Sequence, residues 1–121
     1  MSVIGSLNQI AEDEGVLAVA LVGEDGFVIE SVRKDGAADI DFVGGAATAA
    51  MASSKALADH LNKGDVKEVM VEYNEGPLLM IPIKTNNSEY TLVMLLDDVQ
   101  NLGRIRFQLK KTRATLEEEL S

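Results

Sequence analysis

Few residues in this chain have the type and spacing that chemistry needs. His60 is its single histidine and there is no cysteine. A zinc site of the usual nitrogen and sulfur ligands therefore cannot be assembled, and His60 reads as a helix-surface residue. Asp39 and Asp41 could in principle hold a cation, yet both sit at the start of a helical pattern, where capping accounts for them. Ser53 and Ser54 have no base in a recognisable nucleophile motif and suit a packed helix. Gly44-Gly45 is not followed by Lys-Ser or Lys-Thr, so it is no phosphate-binding loop. The pair reads instead as a place where two helix backbones approach closely. Glu12-Asp13-Glu14 and Glu117-Glu118-Glu119 fall at helix ends and read as solvated charge. No catalytic residue, metal ligand or cofactor is expected.

One charge pattern asks for more. Arg104, Arg106, Lys110, Lys111 and Arg113 crowd into one helical stretch and account for five of the 11 basic residues. As a solvated face they would be relieved by pairs such as Arg113 with Glu117, one helical turn apart. Against that, cations in the first half of a helix and acids in its last turn both oppose the helix dipole. A basic partner face, for an acidic protein or anionic lipid, would explain that cost.

The elements that position these residues follow from periodicity. Ser2 to Glu14 sets Val3, Leu7, Ile10 and Ala11 on one helical face, with Ser2 as cap and Gly15 expected in a left-handed conformation at the end. Val16 to Val22 is a continuous apolar run, suited to a strand buried on both faces. Asp25-Gly26 then signals a hairpin into an alternating strand from Phe27 to Val32. Asp39 to Lys63 is Ala-rich and helical, capped by Asp39 or Asp41 and closed by Gly64. It carries two stripes. Phe42, Ala46, Ala50, Ser53, Leu57 and Leu61 are predicted to lie on the sheet, and Gly44, Ala47, Met51, Ser54 and Ala58 on the far side. Strands follow at Val66 to Tyr73, Leu78 to Ile83 and Tyr90 to Leu96, with Pro82 expected at an end, a bulge or an edge. A last helix spans Val99 to Leu120, with Asp97 and Asp98 near its positive end.

The order α-β-β-α-β-β-β-α, with short connections and no repeat or linker, predicts a single α+β domain over residues 1–121. Its antiparallel sheet of about five strands should be covered on one face by the middle helix and on the other by the terminal helices. A net charge of −9 repels phosphate backbones, so nucleic-acid binding is not expected. The N-terminus lacks the basic and apolar regions of a signal peptide, and no run approaches a membrane span, so the chain reads as cytoplasmic without stable membrane insertion.

At this point the sequence resembles the Roadblock/dynein-light-chain family. The residues that carry the likeness are the hairpin LAVALVGEDGFVIES, the small-residue helix FVGGAATAAMASSKALADHL, the strand GPLLMIPI and the segment DDVQNLGRIRFQLKKT, whose Leu-Gly ahead of a basic helix is similar to bacterial regulators of Ras-like GTPases. The resemblance implies the profilin-like Roadblock fold and a homodimer joined through the middle helices and the third strands. It also implies a helical platform for a Ras-like small GTPase, on which this chain would act as regulator, including as a GTPase-activating protein, or as scaffold. Activation in such members works by positioning the GTPase's own residues, which argues against an arginine finger from the basic helix.

The dimer interface is then expected at Gly44, Ala47, Met51, Ser54, Ala58, Val69 and Val71, and the partner-binding rim at Thr48, Ala52, Lys55 and Asp59. The alternatives are a small-ligand sensor domain and a passive dimerisation scaffold without GTPase stimulation. Small Ala, Gly and Ser side chains favour helix pairing over a ligand cavity. An enzyme lacks any constellation to support it.

Overall fold

The computed structural model describes residues 2–121. Its elements are α1 (Val3–Ala11), β1 (Val16–Val22), β2 (Val28–Arg33), α2 (Gly44–Leu61), β3 (Val69–Tyr73), β4 (Gly76–Lys84), β5 (Glu89–Leu96) and α3 (Leu102–Leu120). The five strands form one antiparallel sheet in the order β2-β1-β5-β4-β3. The predicted order of elements and the two-sided cover are both present.

Alternation along β1 decides what lies on each face. Val19 and Leu21 point into a core shared with Leu7 and Ile10 of α1 and Ile105, Leu109 and Leu116 of α3. Ala18, Ala20 and Val22 point the other way, beneath Ala47 and Met51 of α2. The large side chains of β4 and β5 follow the same division: Leu79, Ile81, Ile83, Leu92, Met94 and Leu96 fill the first core. Met80 and Val93 enter the second. Each large aliphatic side chain removed from water contributes roughly 1.5–3 kcal/mol, so the α1/α3 side carries most of the cohesion.

Local signals differ from the sequence reading in several places. Ser2 does cap α1, its hydroxyl accepting from the Gly5 N–H at 3.1 Å. Gly15 is not left-handed. It is buried, and a side chain there would meet Asn101 and Ile105. Neither Asp39 nor Asp41 caps α2, which starts at Gly44 behind Val43 without a side-chain cap. The Asp39 carboxylate accepts from the Asp41 N–H at 3.0 Å, and Asp41 accepts from the Ser31 hydroxyl at 2.6 Å. These aspartates lash the incoming loop to β2. Asn62 (φ 53°), not Gly64, takes the left-handed position that ends α2. Pro82 sits within β4, but past Met80 that strand has no β3 partner, so the missing donor falls at a local edge.

Candidate functional site

The outer face of α2 is the reverse of the one the sequence predicts. Gly44, Ala47 and Met51 are buried against the sheet, with Ser54 and Ala58 half-buried beside them. The stripe expected on the sheet instead faces outward: Phe42 is 87% exposed, and Leu57 and Leu61 are 62%. Ala46 and Ser53 are exposed too, and only Ala50 is half-buried. The cause lies in β1. With Ala18 and Ala20 beneath it, the helix settles close to the sheet, and only small residues fit its inner face. Gly44 states the constraint most sharply, since a Cβ there would lie 2.0 Å from the Gly26 carbonyl oxygen. The close approach read from the glycine pair is therefore to the β1–β2 hairpin of the same chain. Gly44, Ala47 and Met51, expected at a contact with another molecule, are buried within the protomer.

Register shows how much of the sheet α2 leaves bare. Val69, Met80, Val93 and Ala20 form one row across β3, β4, β5 and β1. Met80, Val93 and Ala20 in that row are buried. The next row on the same face, Val71, Leu78 and Leu95, is only half-buried. A single helix of 18 residues thus leaves an apolar shelf uncovered at the β3 side.

The shelf ends at an open edge. β3 pairs with β4 in unbroken register from Val69 to Tyr73 and, among the described residues, has no neighbour on its other side. Val69 and Val71 are half-buried on the α2 face, whereas Met70 is exposed. The opposite edge, β2, is blunted, because its register to β1 slips between Leu21 and Val22.

On the flank of α2 toward the β4–β5 turn lie the residues predicted to bind a partner. Lys55 forms an ion pair with Glu89, and the Glu89 N–H donates to Glu24 at 2.6 Å. Thr48 donates its hydroxyl to the Gly44 carbonyl at 2.9 Å and is half-buried. Ala52 and Asp59 are exposed. Lys55, Ala58, Asp59, Lys84 and Glu89 surround a cleft of about 150 Å³. His60 is exposed in the last turn of α2. Among the described residues no group of three His, Asp or Glu side chains could hold a metal ion. None of the described helices is long and apolar enough to cross a membrane.

The basic residues of α3 divide into two sets. Arg104 makes a two-bond pair with Asp13 at 2.9 and 2.7 Å, and Arg106 a similar pair with Glu68 at 3.1 and 2.6 Å. The Asp13 carboxylate is 3% exposed; Arg104 above all, and the Gly15 N–H, hold its pKa below the ordinary value. Hydrogen bonding to Asp13 and to Glu68 raises the pKa of Arg104 and Arg106 in return. Lys110, Lys111 and Arg113 make no ion pair among the described residues, and the expected Arg113–Glu117 pair is not formed. Lys111 lies 5.1 Å from the ring centroid of Phe107. Between α1 and α3 runs a groove of about 620 Å³ with polar walls, including Gln9, Glu12, Gln108 and Thr112.

The Roadblock/LC7 domain model matches residues 6–96, which takes in most of α1, every strand and α2. The chain belongs to the Roadblock/LC7 family. Solved structures similar to it include MglB from Myxococcus xanthus, 20% identical with a TM-score of 0.82 over 96% of this chain and 92% of that one. The gliding protein MglB of Thermus thermophilus is 18% identical, with a TM-score of 0.83 over 97% of this chain and 87% of that one. MglC from Myxococcus xanthus is 28% identical, with a TM-score of 0.65 over 98% and 99%. No curated protein matches by sequence. The family assignment accounts for the fold. The open edge and the bare apolar shelf are where a Roadblock domain of this shape has surface left to cover.

Proposed function

We propose that this chain acts in the cytoplasm as a homodimer that docks a Ras-like small GTPase, as its regulator or scaffold, with no chemistry of its own. The observation that carries the reading is the apolar shelf beside α2, continuous with the free edge of β3, in a chain of the Roadblock/LC7 family. A partly exposed apolar surface beside a free strand edge is what an interaction site offers.

The occupant that fits the shelf is a second copy. The outward stripe Phe42, Ala46, Ala50, Ser53, Leu57 and Leu61 is spaced 4-4-3-4-4 and reads the same in both directions. Antiparallel pairing of two such helices therefore sets Ala46 against Leu57 and Ala50 against Ser53, with Phe42, in the turn ahead of the helix, toward the Leu61 end of the second copy. Ala46 and Ala50 give the facing helix room to approach, as a two-fold interface requires. Val69 and Val71 remain in the interface, because pairing β3 with its copy would satisfy the open edge and extend the sheet. The stripe and the edge are self-complementary by the same symmetry.

Ala52, Lys55 and Asp59, with Thr48 beside them, lie on the other flank of α2 and stay accessible when the stripe is covered. Two copies would present two such rims side by side, a rigid platform on which the GTPase is recognised. The resemblance to bacterial Roadblock regulators implies this partner, and activation would proceed by ordering the GTPase's own catalytic loop. Two measurements test the proposal together. Sedimentation of the wild type against Leu57→Glu and Ala46→Glu should give a dimer for the first and monomers for the variants. Capture from the native cell on immobilised wild-type protein should retain a GTP-binding protein that Lys55→Glu with Asp59→Lys fails to retain. A wild type that stays monomeric, or capture that yields no GTP-binding protein, overturns the reading.

A further inference from the structure

α3 lies on the face of the sheet opposite α2, so the proposed self-pairing leaves its outer side uncovered. That side carries charge in two blocks. Lys110 and Lys111 precede Ala114, and Glu117 and Glu118 follow it. None of these four charged side chains makes an ion pair among the described residues. Arg104 and Arg106, by contrast, are tied to Asp13 and Glu68 at the helix start. Glu117 and Glu118 oppose the helix dipole at its C-terminal end, where the described last turn holds no compensating cation. The intrahelical pairing that would relieve them is not made.

The positions Phe107, Lys110, Lys111, Ala114, Glu117, Glu118 and Ser121 share the helical face turned away from Ile105, Leu109 and Leu116. They are also symmetric about Ala114. We propose that this face pairs antiparallel with the same face of a second copy, with Ala114 on the two-fold axis. Lys110 then meets Glu118 of the second copy, Lys111 meets its Glu117, and each pair occurs twice by symmetry. Ala114 is exposed and small, so the backbones can approach. Phe107, 63% exposed, lies over the last turn of the neighbouring helix and covers its stems.

A second copy fits this face better than other occupants because the helix carries both halves of the complement. A phosphate backbone or an anionic bilayer drawn to Lys110 and Lys111 would meet Glu117 and Glu118 within two turns and be repelled. An acidic protein segment would meet the same two glutamates. A chain of net charge −9 repels its own copies at long range, so association needs cations placed where they face acids. If both contacts form, each being two-fold, they link dimers into tetramers or longer chains.

Sedimentation of the full chain at high micromolar concentration tests this, comparing salt of about 0.05 M with about 0.5 M, where screening shortens the reach of exposed charges. The wild type should at least double in mass at low salt, with an association constant falling by about tenfold or more at high salt. The step is read against whatever unit persists at high salt: a monomer doubles, whereas a dimer, which carries two such faces, doubles or grows to higher multiples. Lys110→Glu with Lys111→Glu makes the face wholly acidic, and Glu117→Lys with Glu118→Lys makes it wholly basic. Each double variant alone should lose the step, and an equimolar mixture should regain it, with circular dichroism verifying that both are folded. A wild type without a salt-sensitive doubling, a doubling that survives in both variants, or a mixture of folded variants that fails to associate would each overturn the proposal.

Discussion

Gly44 and Gly45 are neighbours under opposite constraints. A methyl group on Gly44 would be driven into the Gly26 carbonyl, whereas one on Gly45 would meet nothing within 4 Å. We expect Gly44→Ala to destabilise the fold by about 2 kcal/mol or more, because the clash is with backbone that cannot swing aside. Gly45→Ala should stabilise it by about 0.5 kcal/mol, by removing freedom from the unfolded chain. Urea unfolding of the two variants reads both signs. Asp13 gives a second test, in pH. Its carboxyl binds a proton less readily folded than unfolded, because Arg104 favours the charged form. The stability it contributes is fully present above about pH 4 and is lost as pH falls through its lower folded value. An Asp13→Asn variant should be weaker at neutral pH and lose less stability than the wild type between about pH 4 and pH 2. Parallel curves for the two proteins would remove Asp13 from acid unfolding. In the sequence Asp13 reads only as solvated charge, because its partner lies 91 positions away.

At the scale of the element, nearly every helix and strand is legible in the sequence, since period and turn chemistry are local. The faces of α2 are not. Both of its stripes are built from small and apolar residues, so the helix alone does not say which one is inside; the answer sits in Ala18 and Ala20 of β1. As sequence that strand is merely apolar, yet its small residues decide which side of a distant helix can approach. The helix flank that carries the proposed partner-binding rim is legible, while the ion pair of Lys55 with Glu89 is not. The assignment of faces has its own test. Met51→Ala, in the core, should cost about 2–5 kcal/mol of folding stability, while Leu57→Glu should leave thermal unfolding of the protomer nearly unchanged and act on association. Equal effects of both on unfolding would mean that the stripe is part of the protomer core. For the open edge, Glu72→Pro removes an amide that faces away from β4 and that pairing with a second β3 would use, and association should weaken by about tenfold or more. An undiminished dimer would take β3 out of the interface.

For the molecule as a whole, the proposed helical platform would discriminate between nucleotide states of a GTPase through the shape of its switch regions. Calorimetry should therefore give tighter binding to the GTPase loaded with a non-hydrolysable GTP analogue than with GDP, by about tenfold or more. Equal affinities would leave a passive scaffold. The order of the sheet has a consequence for how such a molecule comes off the ribosome. β5 is the last strand made, yet it lies between β1 and β4 and joins the N-terminal hairpin to the rest. Until residues 89–96 emerge, the inner edge of β1 has nothing to pair with, and its run of Val, Leu and Ala side chains waits exposed. The nascent chain therefore carries an adhesive edge for most of its synthesis and gains cooperative structure late. Chains stalled or cut before Glu89 should be captured by chaperones and digested rapidly by protease, and resistance should rise in a single step once β5 has been added.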